Sequence, residues 1–305
     1  MRTWLLAGAA VCLVVLGFAR MPPTASLYGD ALSYVSMAEH GPTAAIAPFR
    51  YRVLVPLLAG LIPLPAPTSL LMLSVAALIT FYLLTLATSI RLGASAPVAF
   101  GALVAVFLTF WHQYNFHNPY LTDAFQLASL AAMVFALVID SFSLFAAAAV
   151  MAVAARETSI VFVPAWFLLK DRGRGAAIVL ASAAVAMAPR LWYADGTPLV
   201  ESMGRAYRAS GGSDRFPWVF ARRVYDAYGL FWWAIGIAVL ANLRKALLMV
   251  SFALLFAGAL LASIIAVDTG RMFEMLAPVI VPALALAVQS AGSWLKAPGS
   301  GNVPA

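Results

Sequence analysis

The chain has 305 residues, of which 64% are hydrophobic and only 10% charged, a balance outside the soluble range. Its net charge is +7, yet the basic residues lie beside apolar runs with no long basic block; nucleic acid is a poor partner for that pattern, and excess positive charge next to membrane spans is normal. A single cysteine, Cys12, excludes an internal disulfide and any cysteine-based metal cluster.

The apolar runs are long and lack the dyad alternation of barrel strands, which predicts an all-α fold: a polytopic membrane helix bundle of about ten transmembrane helices plus one short interfacial or re-entrant helix. Residues 4–19 form an apolar run behind Arg2. Phe18-Ala19-Arg20 offers no small-x-small cleavage site, which favours a retained first span over a signal peptide. Arg2 then places the polar stretch 21–52 outside. The run 53–64 is bounded by Pro56, Pro63, Pro65 and Pro67, too short and broken for an ordinary crossing. Spans follow at 68–90, 97–114 and 121–139, with Arg91 in the first joint, and the run 141–169 is split by Arg156-Glu157. Lys170, Arg172 and Arg174 mark a cytoplasmic joint, 175–192 crosses outward, and 193–227 is the largest outer loop. The last spans are 228–242, 246–266 and 273–290, with Arg244 and Lys245 in a cytoplasmic turn. Residues 1–292 thus form one integral membrane domain, and 293–305 a disordered cytoplasmic tail.

In this topology the polar clusters meet on one membrane face. The stretch 27–60 holds Asp30, Tyr34, Glu39, His40, Arg50 and Arg52; Asp30 and Tyr34 share a face if helical, and Arg50 and Arg52 share a side if extended. A second cluster is Trp111, His112, Tyr114, His117, Asn118, Tyr120 and Asp123, and a third is Arg156-Glu157. In the fourth, Arg205, Arg208, Arg215, Arg222 and Arg223 alternate with aromatic residues; the fifth is Asp268 with Arg271. Carboxylates and guanidiniums gathered at one surface suit an anionic lipid head group.

Each cluster has a plainer reading too. Asp30 fits a helix N-cap, and Arg50 and Arg52 fit snorkelling anchors. Asn118-Pro119 fits a cap and first helical position, with Asp123 favouring the dipole one turn in. Arg156-Glu157 fits an internal ion pair, the arginine-rich loop an amphipathic helix on anionic lipid, and Asp268 with Arg271 a local pair. His112, His117 and Asp123 match no strong metal-ligand spacing, so no metal is assigned; no cofactor is called for and a divalent cation is not indicated.

The stretch GDALSYVSMAEHG resembles the Asp-x-x-x-Tyr-x-x-x-Ala-x-x-Gly pattern in the first outer loop of GT-C superfamily glycosyltransferases, membrane enzymes that use polyprenyl-phosphate-linked sugars. Ala154-Ala155-Arg156-Glu157-Thr158-Ser159 is similar to their basic-Glu-Thr motif in a middle helix, and Thr269-Gly270-Arg271-Met272 to Pro278 resembles their late arginine-containing outer end. The resemblance implies a GT-C-like fold and inverting sugar transfer to a glycan, lipid or protein acceptor at the outer face of a bacterial inner membrane. Asp30 would be the general base and Asp123 a second acid, with Glu157 orienting hydroxyls. Arg271, Arg50 and Arg52 would hold the lipid phosphate, and Tyr34, His117 and Arg156 would complete the substrate contacts. The alternative function is a transporter or flippase of a lipid-linked saccharide, and a third reading is a membrane scaffold. Charges at one surface rather than deep in spans favour the enzyme.

Overall fold

A computed structural model of the chain describes residues 3–21, 23, 29–45, 49–193, 218–265 and 272–296. Every regular element among them is helical. In chain order these are α1 (Thr3–Arg20), α2 (Asp30–His40), α3 (Leu54–Gly60), α4 (Ala66–Arg91), α5 (Ala96–Phe107), α6 (Phe110–His117), α7 (Asp123–Ile139) and α8 (Phe142–Ala155). A 3₁₀ turn at Glu157–Phe162 leads into α9 (Ala165–Leu169); then come α10 (Arg172–Trp192), α11 (Trp218–Tyr228), α12 (Phe231–Ala241), α13 (Ala246–Ile265) and α14 (Ala277–Lys296).

Composition decides which helices are central. α7 is apolar almost all round and is buried to match, packed between α4 and α8 and against α14. Buried alanines on α7 (Ala128, Ala131, Ala136) and on α8 (Ala148, Ala149, Ala152) let the two backbones approach. α14 is likewise buried from its start through Ala285. α10, by contrast, leaves Leu180 and Leu191 exposed, a surface suited to lipid rather than water. Among the described residues, four helices are long and apolar enough to cross a membrane: Ala66–Arg91, Arg172–Trp192, Ala246–Ser263 and Glu274–Gly292.

The helices alternate in direction, so their joints gather at two ends. One end carries Arg91, the Asp140–Lys170 pair at 3.0 Å, Arg172 and Arg174; Asp171 there caps α10 by accepting from the Arg174 amide at 2.7 Å. The other end carries α2, α3, the α6–α7 joint, Arg156-Glu157 and the close of α10. A smaller apolar cluster of Tyr34, Val35, Met37, Val55, Ala59, Leu70, Leu121 and Ala155 fastens α2 and α3 to that end.

The short element predicted at 53–64 is the seven-residue α3, whose rise of about 10 Å is a third of a hydrocarbon core. Two boundaries differ from the sequence reading. The span expected at 97–114 ends at Phe107, because Thr109 is extended (φ −70°, ψ 144°) and α6 restarts at Phe110 with polar residues to bury. Gly229, at φ 54°, separates α11 from α12 inside the span expected at 228–242, a conformation glycine adopts without strain.

Candidate functional site

α2 begins at Asp30, and Gly29 occupies the cap position. Asp30 is therefore the first helical residue rather than the N-cap, half-buried, one turn from Tyr34 on the same face. Tyr34 is 1% exposed. Its hydroxyl accepts from Arg52 Nη1 at 3.0 Å, and Arg52 also forks onto Glu157, Nε to Oε2 at 3.0 Å and Nη2 to Oε1 at 3.3 Å. A planar guanidinium gripping both carboxylate oxygens is the strong form of this pair. Burial pushes the Glu157 carboxyl up, but the Arg52 charge and its hydrogen bonds, with Arg156 adding, hold it down at about 2.

Arg156 sits at the end of α8 with extended backbone (φ −157°, ψ 115°), so it and Glu157 face opposite ways. Arg156 turns inward, pairs with Asp123 at the start of α7, and donates to Met272 Sδ at 3.2 Å. Both members of the pair are buried, Asp123 to 5% and Arg156 to 3% exposure. Gln126, one turn along α7, donates to Thr158 at 3.1 Å and Ser159 at 2.9 Å and so fixes the turn that carries Glu157.

Tyr34, Arg52, Glu157, Arg156 and Asp123, drawn from four separate stretches, are thus joined at one end of the bundle, with Asp30 beside them. Arg50 and Arg52 do not share a side as an extended segment would require, because Phe49–Tyr51 is a 3₁₀ turn. Arg50 instead donates to the carbonyls of Ala45 at 2.8 Å and Tyr193 at 3.4 Å. The Asn118-Pro119 start for α7 is also corrected: Asn118 closes α6, and Thr122 precedes the first turn. His117 ends α6, half-buried. Arg271, with Asp268, Arg205, Arg208 and Arg215, lies outside the described residues; Arg222 is exposed and 3.8 Å from Asp226.

Two groupings escaped the sequence reading. Arg190, near the end of α10, lies 4.0 Å from Glu157 and over the Tyr51 ring. Glu274, 4% exposed, meets His112 Nδ1 at 2.9 Å and Asn115, while His112 Nε2 is 2.7 Å from the Tyr82 hydroxyl. With its proton on Nδ1 the imidazole donates to the carboxylate and accepts from Tyr82. A lone acid in the apolar run after Arg271 was the available signal, since such a group is costly without a partner. His112 and Asp123 go to different partners, and among the described residues no three His, Cys, Asp or Glu come together as metal ligands. No family model, curated protein or solved structure matches the chain.

Proposed function

We propose that the chain is a multi-pass membrane glycosyltransferase of GT-C type, with about ten crossings, that moves a sugar from a polyprenyl-phosphate donor to an acceptor hydroxyl at the extracytoplasmic face of a plasma membrane. The observation that carries the reading is the Tyr34–Arg52–Glu157 link. It sets the α2 face bearing Asp30 against a cluster of guanidiniums and carboxylates, as the resemblance requires of a base beside a phosphate. Asp30 takes the proton of the acceptor hydroxyl as its oxygen attacks the anomeric carbon. The bond to the lipid phosphate breaks, the phosphate leaves with the electron pair, and the configuration inverts. A positioned base of this kind accelerates a reaction by roughly 10² to 10⁴. Arg271 and Arg52 stabilise the departing phosphate. Asp123 and Arg156, committed to each other, hold the floor of the site, and Glu157 keeps Arg52 aimed.

The test is transfer of radiolabelled sugar from membrane lipid extract in proteoliposomes. Wild type moves label to a new product and Asp30→Asn does not, while its melting temperature stays unchanged; wild-type turnover in the variant removes Asp30 from the role of base. A specific observation favours the transporter alternative, the buried Tyr82–His112–Glu274 chain, because ionisable groups inside a bundle are what relays use. Label that crosses the bilayer with its linkage intact, in both proteins, would establish that reading instead.

A further inference from the structure

Arg190 has no part in the motif resemblance, yet its surroundings are those of a ligand contact. It follows the buried Pro189 two residues before the end of α10. Its side chain is 18% exposed and its nearest carboxylate oxygen is Glu157 Oε1 at 4.0 Å. That oxygen already accepts from Arg52 Nη2, and the other oxygen of Glu157 accepts from Arg52 Nε. Both oxygens of Glu157 are thus engaged by Arg52, and at 4.0 Å Arg190 pairs with the carboxylate by charge, without a hydrogen bond. Among the described residues Arg190 has no hydrogen-bond acceptor of its own, although a guanidinium carries five donors.

The side chain is nevertheless held in place. Its guanidinium carbon stands over the Tyr51 ring, 4.6 Å from the centroid, a cation–π contact that holds the charge without taking up a hydrogen-bond donor. The segment that carries Tyr51 is tied to the close of α10, where Arg50 donates to the Tyr193 carbonyl at 3.4 Å. The local charge favours an anion: among the described residues Arg50, Arg52, Arg156 and Arg190 stand against Asp30, Asp123 and Glu157, four guanidiniums to three carboxylates. A helix C-terminus favours a cation by its dipole alone, but that accounts for the position of the charge and not for a held, unfilled fork.

We propose that Arg190, held over the Tyr51 ring, binds a phosphate oxyanion carried by the substrate, a further phosphate contact beside Arg52. The proposal rests on the glycosyltransferase reading only for the identity of the carrier, a lipid monophosphate or phosphodiester; the anion site itself stands on the geometry above.

The experiment is calorimetric titration of the full-length protein in detergent with farnesyl phosphate, using farnesol as the uncharged control. Arg190→Gln weakens farnesyl phosphate binding about ten-fold, the usual effect of losing a charge-assisted contact, and leaves farnesol affinity unchanged; Arg190→Lys, which keeps charge without the fork, falls between. Equal affinity of wild type and Arg190→Gln for farnesyl phosphate overturns the inference, as does a wild type that does not distinguish farnesyl phosphate from farnesol. Preserved farnesol binding certifies the folded site, and if Arg190→Gln loses it, the same comparison is made with Arg190→Lys. Displacement by inorganic phosphate at matching concentration assigns the anion to solution, and displacement only by the lipid phosphate assigns it to the membrane. Sugar transfer alongside unaltered phosphate affinity in Arg190→Gln would sink this inference and spare the enzyme; Arg190-dependent phosphate binding without transfer would do the reverse.

Discussion

Removing one member of the Asp123–Arg156 pair strands a charge in a buried place, which costs far more than the intact pair contributes. Arg156→Met is expected to destabilise the protein by about 3–5 kcal/mol. The double change Asp123→Leu with Arg156→Met should recover most of that, as read from denaturation in detergent. Glu157 makes a second, pH-dependent prediction. Its folded carboxyl is held at about 2 against an ordinary 4.5, so its contribution is fully present above pH 4.5 and is lost as pH falls toward 2. The melting-temperature gap between wild type and Glu157→Gln should therefore be flat above about pH 4.5 and close below it. The sequence made these residues conspicuous, since adjacent charges inside an apolar run must be paired. It did not name their partners: the extended backbone at Arg156 turns it and Glu157 opposite ways, and each finds its counter-charge on a distant segment. No local spacing encodes such a meeting, and Arg190 and Glu274 were missed for the same reason.

Gly175 shows how an element boundary is fixed by contact. A Cβ there would run into the backbone of Phe167 where α10 doubles back on α9, and backbone cannot swing aside as a side chain can. Gly175→Ala should force the hairpin open and cost about 1–3 kcal/mol. Gly101 lies exposed within α5 with nothing near its missing Cβ, so Gly101→Ala should stabilise by up to about 1 kcal/mol; thermal melts of the two variants should move in opposite directions. Helices α4, α7, α8 and α10 were legible as apolar runs bounded by proline or charge. The α5–α6 break was not, because no Pro or Gly punctuates Leu108-Thr109. It follows from packing: α6 turns its His112 and Asn115 onto Glu274, which only the completed bundle brings near.

The gathering of distant motifs at one end follows from alternating helix direction, a property of the whole chain. Joints separated by an even number of passes return to the same side, so Asp30, Asp123, Glu157 and Arg190 converge although no two lie on one element. The same alternation sends Arg91, Lys170, Arg172 and Arg174 to the opposite end, which the positive-inside rule makes the cytoplasmic one in the proposed topology. Arginines at the site end depart from that rule, and Arg52 and Arg156 do so as partners of buried or half-buried carboxylates rather than as topology signals. α3, too short to cross, keeps α2 and the start of α4 on one side; had it crossed, every later joint would change face. Accessibility of introduced cysteines tests this in a Cys12→Ala background, which removes the exposed native thiol. Glu39, exposed at the close of α2, and Arg172, exposed at the start of α10, report on the two ends. Glu39→Cys should react with a membrane-impermeant maleimide on intact cells, and Arg172→Cys only after permeabilisation. The reverse pattern would put Asp30 and its guanidinium neighbours in the cytoplasm, out of reach of a donor presented at the outer leaflet, and the proposed reaction would fall with it.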